Sequence, residues 1–256
     1  MKSVMQTATE QQAQWDQIFS ESDSYFGEQP SSFAKISLEL FRKRGVRTVL
    51  ETGCGQGRDT FLFAEDGLQV TALDYSQNAV LDIKDKISSH ALPQCIDLRC
   101  FDVRRPLPFE DESFDAFYSH MLMCMELTTA EIACALSEVH RVLKPGGLAV
   151  YSARSIFDRH YRAGEHLGEE LFEIGKLAVH FFSEDKIRGM ASGFKILDIN
   201  RIEEGALPRD LFCVTMEKSS IRYAPSFSTL PAGADHKHAP LTRNRSRAYP
   251  HCPGGT

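Results

Sequence analysis

Between Val46 and Asp74 the chain reads VRTVLETGCGQGRDTFLFAEDGLQVTALD. An apolar run with Val49 and Leu50 leads into Glu51, and Gly53, Gly55 and Gly57 follow at alternate positions. A helix-like segment comes next, then a second apolar run, Leu68 to Leu73, that ends in an acid, Asp74. Strand, glycine-rich turn, helix, strand and acid in that order predict a parallel sheet whose carboxyl edge holds a pocket for an adenosine-bearing ligand. The glycines let backbone approach a ligand where a Cβ would collide. A helix opening near Arg58 aims its free N–H groups into the same space. A carboxylate at Asp74 is placed to accept two ribose hydroxyls.

The glycine pattern discriminates between ligands. A dinucleotide fingerprint asks for a glycine where Arg58 stands, and the acid at Glu51 suits a cation better than a pyrophosphate. S-adenosylmethionine, a sulfonium that also carries an ammonium, is therefore favoured over NAD. A glycine turn without any ligand is the bland alternative.

Alternation of strand and helix patterns continues along the chain. Residues 10–20 read as a helix with Trp15, Ile18 and Phe19 on one face. Residues 33–44 read as a second helix, stopped by Gly45. Strands are expected at 46–51, 68–73, 96–101, 114–119 and 148–153, with helices at 58–66, 76–89 and from Thr128 to about Lys144. Thr128 and Glu131 have capping-box spacing, and Pro145-Gly146-Gly147 reads as a helix breaker. Residues 154–169 look like a polar loop, and Leu171–Phe182 like extended structure with a turn near Gly175. Ser183 caps a further helix, and 194–202 pairs with 211–217 as an antiparallel hairpin. The whole predicts an α/β, Rossmann-like, doubly wound sheet with helices on both faces. From Ser219 onward the chain holds five of its eleven prolines and no amphipathic period, so 219–256 is expected to be a disordered tail.

Composition narrows the function. Of 256 residues 42% are hydrophobic, enough for one sizeable core, and the net charge is −6. Because the basic residues of 219–256 outnumber its single acid, the rest of the chain is more acidic still, which gives no electrostatic reason to bind nucleic acid. No apolar run approaches the ~20 residues of a membrane span, and the first residues lack the apolar core of a signal peptide. Seven scattered cysteines without a C-x-x-C pair suggest a reducing, cytoplasmic setting and no metal site.

Four segments in order, VLETGCGQGRD, VTALDYS, CFDVRRPLPFEDESFDAFYSHMLM and EVHRVLKPGGLAVYS, resemble the motifs of class I SAM-dependent methyltransferases. The resemblance covers about residues 30–217. It implies a seven-stranded sheet in the order 3-2-1-4-5-7-6 with a reversed last hairpin, SAM as methyl donor and S-adenosylhomocysteine (SAH) as product. It implies residues 1–30 as an N-terminal helix and substrate lid, 31–218 as the methyltransferase domain, and 154–182 as a lid-like insert. Carried over to this sequence, Glu51 and Gly53 face the methionine end of SAM, and Gly55, Gly57 and Arg58 complete the loop. Asp74 binds the ribose, Tyr75 packs on the adenine with Ser76 behind it, and Asp102 accepts the adenine amino group beside Val103. Ser119 and His120 line the floor near the methyl. Gly57-Arg58-Asp59 and the segment from Phe182 to Ile187 are similar to the branch holding tellurite-resistance and thiopurine- or thiol-type enzymes.

The expected partner is a small-molecule acceptor, with sulfur or another chalcogen ranked before nitrogen or oxygen. The chain is expected as a monomer or homodimer. A SAM-binding regulatory protein without turnover is the competing class, and an NAD-linked oxidoreductase the third. The catalytic or substrate-contacting candidates are His120, Tyr161 and Tyr25. Around them Tyr118, Arg154, His160, His166, His180 and Arg209 gather in sequence. His180 reads as a packed residue, and Arg209, after Pro208, as a surface ion pair in preference to a holder of an anionic acceptor. Met121, Met123 and Met125 read as core packing or as a soft acceptor wall. The Tyr-Ser-His-Met run at 118–121 differs from the Asn/Asp-Pro-Pro-Tyr of nucleic-acid amino-methyltransferases, and no acidic cluster suggests a magnesium site.

Overall fold

The computed structural model describes residues 4–90, 95–205 and 209–219. Seven strands form one sheet: β1 (Thr48–Thr52), β2 (Gln69–Asp74), β3 (Ile96–Cys100), β4 (Phe114–His120), β5 (Leu143–Arg154), β9 (Phe194–Glu204) and β10 (Arg209–Lys218). Their spatial order is β3-β2-β1-β4-β5-β10-β9, the order that the family resemblance implies. Five strands are parallel, and β10 runs antiparallel to both β5 and β9. The order reverses between β1 and β4, so a crevice opens where their carboxyl ends diverge.

Both faces of the sheet are buried. Leu50, Leu73, Phe117 and Tyr151 point into one apolar layer, and Val49, Val70, Ala116, Tyr118 and Val150 into the other. Near-continuous apolar strands are what a doubly covered parallel sheet requires. The covering helices are α1 (Val4–Glu21), α2 (Ser32–Arg44), α3 (Arg58–Glu65), α4 (Gln77–His90), α5 (Thr129–Val142) and α6 (Glu184–Met190). Their ends follow local chemistry. Thr128 and Glu131 form the capping box at α5, and Ser183 caps α6 by accepting from Lys186 N–H. Gly45 ends α2 with φ of 67°, a left-handed conformation that costs glycine little.

Two expectations are corrected. β5 begins at Leu143, not at Leu148, because Pro145-Gly146-Gly147 forms a bulge inside the strand: Phe114 pairs with Leu143 and Ala116 with Leu148. A Cβ on Gly147 would lie 2.8 Å from the Lys144 carbonyl oxygen, so that bulge closes tightly around a glycine. Residues 154–169 are not all loop. Glu165–Gly168 is a strand, β6, which joins β7 (Leu171–Ile174) and β8 (Leu177–His180) in a separate antiparallel sheet. Its four residues hold a single large apolar side chain, Leu167, too few for an alternation to mark it. α1 also starts at Val4, earlier than expected. The expected tail beyond Ser219 lies outside the described residues. Among the described residues no helix is long and apolar enough to cross a membrane.

Candidate functional site

The glycine loop is closed on itself by hydrogen bonds. The N–H groups of Gly53 and Cys54 both donate to the Leu73 carbonyl, at 2.7 and 3.2 Å, and Gly57 N–H donates to Cys54 O at 3.0 Å. Gly55 N–H donates to Asp74 Oδ2 at 2.8 Å. These four loop amides are thus spent inside the protein and form no cradle for a pyrophosphate, which needs them free. Gly53 has φ of 69°, and a Cβ there would lie 2.8 Å from Leu122 Cβ, so side chain is excluded by both backbone and neighbour.

Carboxylates surround this loop. Glu51 is almost wholly buried, and burial pushes its carboxyl up to about 8, while Thr60 Oγ1 donates to it at 2.6 Å. Asp74 also accepts from Ser76 N–H at 2.9 Å, and burial raises it to about 6. Two acids held near neutrality by desolvation regain charge when a cation enters beside them. Cys54 is a buried thiol whose ionisation burial pushes well up, so it packs and does not attack.

Asp102 and Val103 line a crevice with Asp74, Tyr75, Leu122 and Leu127, in which about 30 Å³ is empty. Arg104 Nε reaches both Asp102 oxygens at 2.9 Å, so an adenine amino group there competes with a guanidinium. Ser76 is the buried N-terminal anchor of α4: its hydroxyl donates to Asp16 Oδ1 and accepts from Ala79 N–H. Ser119 lies beneath the cavity floor, fully buried, with its hydroxyl on Thr52 O.

The loop's spacer residues face the other way, toward the N-terminal turn. Gln56 Oε1 accepts from Tyr25 N–H at 2.8 Å, and its amide donates to Ser22 O. Arg58 donates to Phe26 O at 2.9 Å and lies 3.6 Å from Glu204. Below them Asp59 accepts from Ser31 N–H, Ser31 Oγ and Tyr118 OH, each at 2.8 Å. That buried knot fixes α2, α3 and β4 together.

A cavity of about 230 Å³ lies between the loop and a roof. The roof is α1 and the small sheet. Trp15 and Phe19 stack at 5.4 Å, and Tyr25 and Phe26 meet edge to face at 4.9 Å. Gln11 Oε1 accepts from Ala178 N–H of β8, and Gln12 donates to Tyr75 O beside β2. The cavity also holds Met121, Met125, His120, Arg154, His160 and Arg209. A second cavity, of about 540 Å³, lies beneath residues 24–30 and shares Gly53, Gly55 and His120 with the first.

His120 divides the two cavities. Its Nδ1 is 2.7 Å from Ser152 Oγ, and that oxygen also accepts from Met121 N–H at 3.0 Å. The other ring nitrogen, Nε2, lies 3.6 Å from Glu204 Oε2, and neither of these two buried atoms has a hydrogen-bond partner among the described residues. Burial pulls His120 down to about 4, so the ring is neutral. Met121, the next residue, has φ of 63°, a strained backbone at the cavity edge.

Other candidates lie elsewhere. Tyr161 packs on Phe172 and Phe181 within the small sheet and donates to Glu170 at 2.6 Å, outside the lining of the described cavities. His180 is fully buried between Leu127 O and Lys186 Nζ. His166 bonds the Glu169 carbonyl at the surface. Met123 is core, while Met121 and Met125 face the cavity. Arg209, expected in a surface ion pair, is in the cavity wall instead. Ser152 and Glu204 were not expected from sequence. Nothing in a strand interior or a hairpin end marks them, and only the fold brings them to His120.

Residues 49–147 match the family described as a methyltransferase domain. Among curated relatives, a malonyl-[acyl-carrier protein] O-methyltransferase of Salmonella typhimurium is 32% identical over 121 residues, 46% of this chain and 43% of that protein. An uncharacterized methyltransferase of Synechocystis is 32% identical over 116 residues, 45% of this chain and 51% of that one. The chain thus spans about half the length of the curated relatives it matches. A solved 1,6-didemethyltoxoflavin-N1-methyltransferase of Burkholderia thailandensis, with bound 1,6-didemethyltoxoflavin and SAH, superposes with a TM-score of 0.67 at 17% identity. That match covers 86% of this chain and 92% of the other, and it shows a shared fold.

Proposed function

We propose that this chain, a class I SAM-dependent methyltransferase by fold and by its matching domain, transfers the methyl group of SAM to a small-molecule acceptor. One observation carries the choice of ligand. Four loop amides, those of Gly53, Cys54, Gly55 and Gly57, are consumed internally while Glu51 and Asp74 flank the loop and Asp102 lines the adjoining crevice, an arrangement better suited to a cationic nucleoside than to a pyrophosphate. In this reading Glu51 and Gly53 hold the methionine end, Asp74 the ribose, and Tyr75, Asp102 and Val103 the adenine. Trp15, Phe19, Tyr25 and Phe26 together with Ile174, Leu177 and Val179 roof the chamber.

The bound donor supplies a methyl group already activated by positive sulfur. The protein's own task is to align the acceptor and exclude water, and positioning of this kind supplies up to ~7–11 kcal/mol. The aromatic roof of Trp15, Phe19, Tyr25 and Phe26 keeps the chamber dry. His120, neutral and fixed by Ser152, orients the acceptor rather than drawing a full proton from it. The Met121 and Met125 thioethers support a soft, polarizable acceptor such as a thiolate, the first-ranked class, over a hard amine.

The test is ligand-induced stabilisation. SAM and SAH at about a hundred times their dissociation constants are expected to stabilise the fold by about 2.7 kcal/mol, and NAD to leave it unchanged. Indifference to both SAM and SAH overturns the assignment. SAM binding without SAH production across thiol, selenite, amine and hydroxyl acceptors would favour the regulatory alternative.

A further inference from the structure

If the 230 Å³ cavity is the acceptor chamber, one charged group there has no assigned task. Arg209 opens β10 and its side chain lines that cavity. Among the described residues no carboxylate oxygen forms an ion pair with it. The acids nearest in the strand pairing are engaged elsewhere. Glu204, its partner across the hairpin, is 3.6 Å from Arg58 and 3.6 Å from His120, and attracts Arg209 only through space. Asp210, the next residue, is held by Arg201 and Ser155.

Arg154, the other guanidinium of the chamber, is in the opposite state. Asp158 takes two of its N–H groups at 2.8 and 2.6 Å, and His160 Nδ1 lies 3.1 Å from the same nitrogen. Its charge is neutralised within the wall. Arg209 therefore carries the positive charge that the chamber still offers to a ligand. A guanidinium presents parallel donors that match a carboxylate two at a time.

Its place in the sheet sets the length of what it binds. β10 is two strands from β4, with β5 between, about 10 Å laterally at ~4.8 Å per step. Because Leu211 lies opposite Arg154 and His120 opposite Ser152, Arg209 also stands about four residues (~13 Å at ~3.3 Å per residue) farther along the strands, a distance its long side chain partly spans. Apolar side chains, Met125, Leu177 and Val179 among them, line the chamber that the two residues share.

We propose that the acceptor is an amphipathic carboxylate: its anionic end is held by Arg209, its apolar body lies under the roof, and its nucleophilic atom reaches the His120 end. The carboxylate is an anchor, distant from the transferred methyl, and Arg209 selects the acceptor without touching the donor. This rests on the methyltransferase reading of the chamber, and the experiment separates the two.

Phenylbutanoate, phenylhexanoate and phenyloctanoate, and their primary amides, are titrated into the SAH-loaded full chain by calorimetry. At least one acid is expected to bind about tenfold or more tightly than its amide, as a charge-assisted pair requires. Arg209→Gln should bring acid and amide to equal affinity, and Arg209→Lys should keep part of the preference, with SAH affinity unchanged in both. Equal binding of acid and amide in the native chain, a preference that survives Arg209→Gln, or no saturable binding of any acid overturns the proposal while leaving the SAH site standing. Failure of the native chain to bind SAH overturns the methyltransferase reading instead. Should Arg209→Gln not fold, the native acid-to-amide ratio and the Arg209→Lys variant decide.

Discussion

Over β1 and β2 the wall of the crevice is one continuous stretch of chain, from Glu51 to Tyr75, closed by its own backbone hydrogen bonds. Over β4, β5 and β10 the wall is gathered from Gln11, Trp15, His120, Arg154, Leu177 and Arg209, residues with no sequence relation to one another. The first side is a local structure that a short motif can specify. The second exists only after the sheet, α1 and the small sheet have met. A donor site of the first kind can stay constant while the second varies, which is how one fold comes to serve many acceptors.

The sharpest way to break this division is Asp74→Asn. It removes a buried carboxylate from the donor side and leaves the acceptor wall untouched. SAH affinity should fall by about tenfold to a hundredfold, the worth of a hydrogen bond to a charged group of ~1.5–3 kcal/mol. Calorimetry showing unchanged affinity would mean that the donor is gripped elsewhere.

Next in size is Gly53→Ala. The added Cβ meets Leu122 and needs a left-handed backbone. A loss of about 1–3 kcal/mol in stability is expected, with weaker SAH binding, by thermal and chemical unfolding. A variant as stable as the native chain would show that Leu122 moves freely.

The donor side should also answer to pH. Glu51, raised to about 8 from 4.5, and Asp74, raised to about 6 from 3.8, keep their protons in the fold where the unfolded chain has lost them. Their combined effect is that stability of the ligand-free chain declines as pH rises from about 4 to about 8, and is fully reduced above that. SAM affinity rises over the same range as the two acids ionise beside the cation. Glu51→Gln should flatten the decline between pH 5 and 8, and melting curves in which its slope equals that of the native chain would remove Glu51 from the account.

The smallest effect belongs to the roof. Gln11→Ala deletes the bond to Ala178 that ties α1 to β8. It should cost about 0.5–1.5 kcal/mol and raise the acceptor KM while SAH affinity holds. Equal losses for donor and acceptor would merge the two sides into one unit.

The same division explains what could be read from residues alone. The capping box at Thr128 and Glu131, the cap at Ser183 and the stop at Gly45 are signals within a few positions and are visible in the sequence, whereas the strand order is implied only by the family resemblance. β6 is four residues long with one large apolar side chain, Leu167, and owes its shape to pairing with β7, so no period marks it. The Pro-Gly-Gly run suggests a break, yet β4 alongside holds it in the sheet as a bulge. Arg209 looks like a surface cation because sequence cannot show that Asp210 and Glu204 are already taken. Tyr161 sits on a segment expected to act as a lid, and the small sheet turns its hydroxyl to Glu170.

Gln56 lies between two of the glycines and Arg58 directly after the last, yet their side chains grasp the turn at Ser22, Tyr25 and Phe26. Any shift of the loop as it takes up its nucleoside therefore pulls the door of the neighbouring chamber with it. Turnover should then follow a fixed sequence, donor first and acceptor second, with the spent nucleoside leaving last. Product-inhibition patterns in the native chain, compared with those of Arg58→Gln, would reveal whether the hinge is mechanically tied to the loop.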